Sequence, residues 1–338
     1  MMKTVMFNIL NENENYNRIQ EKITELIDLD RANLPIHDLR SESSKHCVGC
    51  WSCWWKTPGL CIHKDDIQKS YRDFINSDQA VVMVGVKRGF LNYQSKRFLD
   101  RLIPLFHPYI ETINNECTHL QRYDHYPNLM FVLDSSELSD DEYDVLKSYF
   151  ARFAFHYRSK VSLLDLNEEK VEKLEIQKFF PYKAPELPPK SPKRLAIYNG
   201  SPRGRQSNSM MIIDNIVDSI ADQYCRIDVK DLVQLNRLDE YAKVFTEYDH
   251  HLIVYPLYMH AMPSIVKRFM EKIDPVENGE TRISFIIQSG FPESVQSFYI
   301  RPYHRLLASR LNLIYGRTVV KGGVEGVRIM PEKARRKI

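Results

Sequence analysis

Asn199-Gly200-Ser201-Pro202-Arg203-Gly204-Arg205-Gln206-Ser207-Asn208-Ser209 is the stretch whose reading decides the fold. Before it stands an apolar run, Leu195-Ala196-Ile197-Tyr198, with the continuous hydrophobicity of a buried strand. After it, Met211, Ile212, Ile216, Val217 and Ile220 recur at helical spacing. The stretch is therefore a turn from a strand end into a helix start. Ser207, Asn208 and Ser209 are N-cap types. A helix start offers unpaired N–H groups and the positive end of its dipole, which together suit a phosphate. Ser201, Arg203 and Arg205 add hydroxyl and charged donors, and two glycines allow close backbone approach. The spacing is neither a Walker loop nor GxGxxG, which sets nucleoside triphosphates and dinucleotides aside.

Working outward, strand and helix patterns alternate in both directions, the mark of an α/β chain. Upstream, strands are expected at residues 4–9, 30–39, 79–86, 128–133 and 161–164. Helices are expected at 17–29, 66–75, 92–102 and 140–155. The polar stretch 107–126 reads as irregular. Residues 180–192 hold five prolines and read as an extended linker. Downstream, strands are expected at 195–198, 225–229, 251–255, 283–288 and 317–321, with helices at 209–221, 265–273 and 295–311.

The two halves repeat each other. Residues 78–104 align with 249–275 without a gap, placing Lys96-Arg97-Phe98 on Lys267-Arg268-Phe269. Phe131 and Ser135 fall on Phe285 and Ser289, and Asn8 on Asn199. In that alignment Glu12 stands at Arg203 and Tyr16 at Ser207. Glu12 and Glu14 would repel a phosphate, so the first half carries a degenerate loop. The expected domains are 1–180 and 193–338, joined by a Pro-rich linker at 181–192.

Gly-Ser-Pro-Arg, a short gap and Ser-Asn-Ser resemble the phosphate loop of the NAD(P)H-dependent FMN reductase branch of the flavodoxin-like superfamily. The resemblance implies two tandem flavodoxin-like doubly wound domains, each with a five-stranded parallel sheet. It implies FMN as cofactor and NAD(P)H as co-substrate. It assigns the phosphate to Ser201, Arg203, Ser207, Asn208 and Ser209. Pro256, Tyr258 and Pro263 match a Pro-x-Tyr-x-x-x-x-Pro loop that touches ribityl and ring in the family. Leu257, Met259 and His260 share that loop. Ser289-Gly290-Phe291 stands where the family usually has Ser or Thr before Gly-Gly. Tyr258, Met259 and Phe291 offer the flat apolar contacts an isoalloxazine needs, and His260 offers a donor. No side chain is assigned as a catalytic acid or base, because the flavin carries hydride and electron chemistry itself.

Cys47, Cys50, Cys53 and Cys61 form a C-x2-C-x2-C-x7-C run, followed by Lys64-Asp65-Asp66. Thiolates at such gaps suit an iron–sulfur cluster. A structural zinc site more often uses two separated pairs, and buried thiols are the third reading. The run also resembles the cysteine motif of the iron–sulfur flavoproteins, which implies these four residues as [4Fe–4S] ligands.

Among 338 residues the hydrophobic content is 43% and the net charge +3, too small to argue for nucleic acid or a membrane surface. No apolar run approaches a membrane span and no signal-peptide pattern is visible. A cytoplasmic protein is expected, with a homodimer and a small-molecule or protein electron donor and acceptor as partners. The activity expected is an FMN-dependent oxidoreductase, taking electrons from NAD(P)H or a reduced carrier. A flavodoxin-like electron carrier without substrate turnover, and a non-catalytic scaffold, are the competing expectations.

Overall fold

The computed structural model describes residues 2–11, 16–26, 34–176, 194–277 and 279–326. The chain divides into two compact units. One is built from Met1–His46 and Cys50–Lys178, the other from Phe179–Ile338 with Cys47–Gly49. The Pro-rich linker expected at 181–192 and the acidic pair Glu12 and Glu14 lie outside the described residues.

The first unit runs β1 (Thr4–Ile9), α1 (Tyr16–Leu26), β2 (Ile36–Asp38), α2 (Ser52–Trp55), α3 (Asp66–Ile75), β3 (Gln79–Val84), β4 (Val86–Lys87), β5 (Phe90–Leu91), α4 (Tyr93–Asp100), β6 (Phe106–Ile113), β7 (Glu116–Gln121), β8 (Asn128–Leu133), α5 (Asp140–Tyr157), β9 (Val161–Asp165) and β10 (Lys170–Lys173). Its sheet has the order β2-β1-β3-β8-β9-β10. The first five strands are parallel and β10 runs antiparallel to β9. The sheet is thus six-stranded, not five-stranded as expected. The strand β10 alternates charge with Val171 over one short run, too brief to stand out from a loop.

The second unit runs β11 (Arg194–Asn199), α6 (Asn208–Ile220), β12 (Arg226–Asp231), α7 (Leu238–Lys243), β13 (His250–Pro256), α8 (Ser264–Lys272), β14 (Arg282–Gln288), α9 (Ile300–Arg310) and β15 (Ile314–Lys321). Its sheet is five-stranded and parallel, in the order β12-β11-β13-β14-β15. Both sheets therefore step one way from their first strand and then reverse, the doubly wound arrangement whose crevice opens at the carboxyl strand ends. The fold class is α/β with doubly wound parallel sheets.

Central strands are apolar along their whole length because helices cover both faces. In the second unit Leu195, Ile197 and Val254 meet Ile213, Ile216 and Val217 of α6. In the first, Met6, Val81, Met83 and Val132 meet Ile23 of α1. The stretch 107–126, expected to be irregular, is largely the antiparallel pair β6–β7, with the tip residues Asn114 and Asn115 at φ 52 and 64°. Left-handed Asn-Asn is a hairpin-turn signature.

The repeat extends to individual hydrogen bonds. In the first unit Lys3 N donates to Asp78 Oδ2 at 2.8 Å, Asp78 N to Lys3 O, and Asn128 N to Asp78 O. In the second, Arg194 N donates to Asp249 Oδ2 at 2.8 Å, Asp249 N to Arg194 O, and Arg282 N to Asp249 O. The aligned lysines also match. Lys96 pairs with Asp100 and Lys267 with Glu271, each four residues on and each pair buried.

Candidate functional site

At the carboxyl edge of the second sheet, Pro256 and Gln288 are register partners, and Asn199 pairs with Val254 two residues below. Parallel pairing therefore brings the loops after β11, β13 and β14 to one edge.

The loop after β11 is shaped by Asn199, which is fully buried. Its Oδ1 accepts from Ser201 N at 3.2 Å. Its Nδ2 donates to Gly204 O at 3.0 Å and to Asp231 Oδ1 at 2.8 Å. Gly204 sits at φ +55°, a left-handed turn that glycine adopts without penalty. Gly200 has a different task from the ligand approach expected of it. A Cβ there would stand 2.5 Å from Val266 Cγ2 and 2.9 Å from Tyr255 Cβ, so glycine permits the strand to pack under α8. Arg205 is also placed differently from expectation: its Nε pairs with Asp231 at 3.2 Å. Arg203 is exposed and stays on the loop surface.

Ser207 caps α6, its Oγ accepting from Met210 N at 3.1 Å. Ser201 Oγ accepts from Arg203 N at 3.3 Å, and Ser209 Oγ from Gln288 Nε2 at 3.4 Å. All three serines are at most 2% exposed. Each hydroxyl thus spends an acceptor lone pair inside the protein and keeps its hydrogen for donation. Phosphate oxygens accept and do not donate at full ionisation, so this donor set fits a phosphate. The N–H groups of a first helical turn add to it, since geometry denies them intrahelical partners.

The loop after β13 closes on itself. Tyr258 N donates to Ala261 O at 2.8 Å and Ala261 N to Tyr258 O at 3.0 Å. Between them Met259 and His260 take φ 42 and 63°, the two left-handed residues of a type I′ turn. His260 is buried, while Pro256, Leu257, Tyr258 and Met259 are half-buried. Leu257 N donates to Gln288 O at 2.8 Å, which ties this loop to β14. After β14, Ser289 Oγ donates to Phe291 O at 3.1 Å, and Gly290 is exposed.

Two residues outside the expected set join these loops. Gln288 bridges the β13 loop and Ser209. Val324, beyond β15, accepts from Asn208 Nδ2 at 3.0 Å while its own N–H donates to Ser289 O. A polar residue ending an otherwise apolar strand was the only signal for Gln288. Val324 had none, because a backbone carbonyl leaves no mark in sequence.

The cysteines do not fit a metal site as placed. Among the described residues, no group of three or more His, Cys, Asp or Glu side chains is arranged to hold a metal ion. Trp51 takes a left-handed φ of 57° ahead of α2, a single turn that carries Cys53 inward. Cys50 stays exposed, and Cys47 and Cys61 are half-buried. Burial pushes the Cys53 thiol up to about 12, with the neighbouring Cys61 and Cys50 adding to the shift. The expected ligand set of Cys47, Cys50, Cys53 and Cys61 thus forms no metal-holding group among the described residues, while Cys117 is half-buried and Cys225 exposed.

Residues 193–279, which contain the loop after β11 and the loop after β13, match the family described as Flavodoxin-like fold. No curated protein matches the chain. Similar solved structures include general stress protein 14 of Treponema denticola in complex with FMN, at 19% identity and a TM-score of 0.33, covering 43% of this chain and 95% of that one. An FMN-dependent NADH-azoreductase of Bacillus anthracis in complex with FMN is 15% identical at a TM-score of 0.32, covering 43% and 92%. An NAD(P)H:quinone oxidoreductase of Methanothermobacter marburgensis is 13% identical at 0.33, covering 43% and 92%. Among the described residues no helix is long and apolar enough to cross a membrane.

Proposed function

We propose that the second unit binds FMN and that the chain is a flavin-dependent oxidoreductase, taking electrons from NAD(P)H or a reduced carrier and passing them to a small-molecule or protein acceptor. One observation carries the reading. Three buried serine hydroxyls, each accepting internally and free to donate outward, surround the start of α6 in the stretch that matches the flavodoxin-like family.

Ser201, Ser207, Ser209 and the first turn of α6 would hold the phosphate, with Asn208 fixing that turn to Val324 and Arg203 adding positive charge from the surface. The turn Tyr258–Ala261 and the Ser289-Gly290-Phe291 loop would flank the ring. Bound FMN supplies the hydride and electron chemistry. The chain's own residues bind, orient and exclude water. No step runs through the cysteines, whose placement does not fit a cluster. The repeat of hydrogen bonds supports reading the chain as two tandem flavodoxin-like domains, of which the second carries the activity.

The test is the visible spectrum of protein purified without oxygen, followed by NAD(P)H consumption with quinone or azo acceptors. Flavin bands and steady-state consumption are expected. A protein that stays colourless after incubation with FMN overturns the reading. Flavin bands without consumption point to the electron carrier instead.

A further inference from the structure

The first unit has a corresponding run of five parallel strands, and at their carboxyl edge the ends are latched together. Asn11 follows β1, Gly85 follows β3, and Asn92 caps α4. Asn92 Nδ2 donates to Asn11 Oδ1 at 2.9 Å and lies 3.4 Å from Ile9 O. Asn11 Nδ2 donates to Val86 O at 3.1 Å. Gly85 N donates to Ile9 O at 3.0 Å and to Ser95 Oγ at 3.2 Å. The latch is also filled to contact. A Cβ on Gly85 would stand 2.1 Å from Asn92 Nδ2 and 2.7 Å from Asn11 Oδ1. The ends of β1 and β3 and the start of α4 are thus tied to one another by buried and part-buried polar atoms.

The aligned positions of the second unit cannot make this latch. Asn11 aligns with Pro202, Gly85 with Pro256 and Asn92 with Pro263. Proline has no backbone N–H and no amide side chain, so the donors that tie the first crevice have no counterpart. Ser95, which joins the latch, aligns with Val266. The difference is one of chemistry at matched places in matched sheets.

We infer that the chain takes a single flavin, in the second unit, and that Asn11, Gly85 and Asn92 keep the crevice of the first unit shut as a structural joint. This rests on the reading of the second unit as an FMN site and specifies its stoichiometry. The bonds of Asn92 to Ile9 O and of Gly85 N to Ser95 Oγ are buried, and those of Asn11 are part-buried, so they are sheltered from competing water. Opening the crevice would break all of these hydrogen bonds at once.

Titration of the full chain with FMN, followed by calorimetry and by flavin fluorescence, tests it. The expected result is one FMN per chain, lost in Ser209→Asp, which sets a carboxylate at the start of α6. Should that variant fail to fold by circular dichroism, the surface change Arg203→Glu weakens the same single site about tenfold. Two FMN per chain overturns the inference while leaving the function intact. So does a full-strength site that survives both substitutions. No binding to the wild-type chain overturns the flavin reading itself, and the single-flavin assignment with it.

Discussion

The two units agree at one end of their sheets and part company at the other. At the amino ends of the strands, Lys3, Asp78 and Asn128 make the same bonds as Arg194, Asp249 and Arg282. At the carboxyl ends, Asn, Gly and Asn stand in one unit where three prolines stand in the other. The amino ends only have to hold strands in register, so a main-chain joint that works is kept. The carboxyl ends are where a doubly wound sheet meets its ligand. There the second unit carries the serines Ser201, Ser207 and Ser209, and the first ties its strand ends together through Asn11, Gly85 and Asn92.

The largest effect that could break this comparison lies in the aligned ion pairs. Lys96→Met leaves Asp100 charged and buried, and Lys267→Met does the same to Glu271. Each should cost about 3–5 kcal/mol in urea unfolding, because a buried carboxylate loses its ammonium partner. The paired replacement Lys96→Met with Asp100→Leu should recover most of the loss. If one single variant is tolerated and the other is not, the two pairs do not play the same part.

Acid should separate the units by a smaller amount. Burial lowers His250 to about 4 and drives His251 and His304 well below their usual range, all in the second unit. In the first unit His119 is lowered to about 4, and burial also lowers the less buried His63 and His107. A histidine whose folded pKa lies below its unfolded value contributes stability that is complete above about pH 6.5 and drains away as the pH falls toward the folded value. For His250 the loss is about 1.4 kcal/mol per pH unit in that window. Hydrogen exchange at pH 7 and pH 5 should show protection falling further in β13 and β14 than in β3 and β8. Equal losses would mean the second unit's histidines are not kept neutral.

The smallest effect concerns the matched turns. Arg88 and Gly89 join β4 to β5 with φ 52 and 73°, and Met259 and His260 occupy the aligned places with φ 42 and 63°. Gly89→His copies the second unit's residue into the first. It should lower stability by about 1 kcal/mol, the toll of a left-handed side-chain residue. An unchanged denaturation midpoint would show that neither turn is strained.

Much of this is legible in the sequence. The strand–loop–helix reading of 195–220 holds: Ser207 caps the helix and Ser209 stands in its first turn. The ungapped Lys-Arg-Phe match became two buried ion pairs in corresponding places. Other readings failed for identifiable reasons. The hairpin β6–β7 looked irregular because polar residues such as Glu111, Thr112 and His119 interrupt its alternation. The pairing of Arg205 with Asp231, 26 residues away on the neighbouring strand, was also not visible in the sequence. The cysteine spacing implied a ligand set, but among the described residues no metal-holding group of such side chains is formed.

Sequence by itself determined the alternation of strands and helices, the doubling of the chain and the polar turn before α6, because hydrophobic period, caps and repeats are local or periodic signals. Only the tertiary structure decided which crevice is tied shut. That depends on Asn11 meeting Asn92 across 81 residues and on the space beside Gly85, and contacts between segments brought together by folding have no local signature.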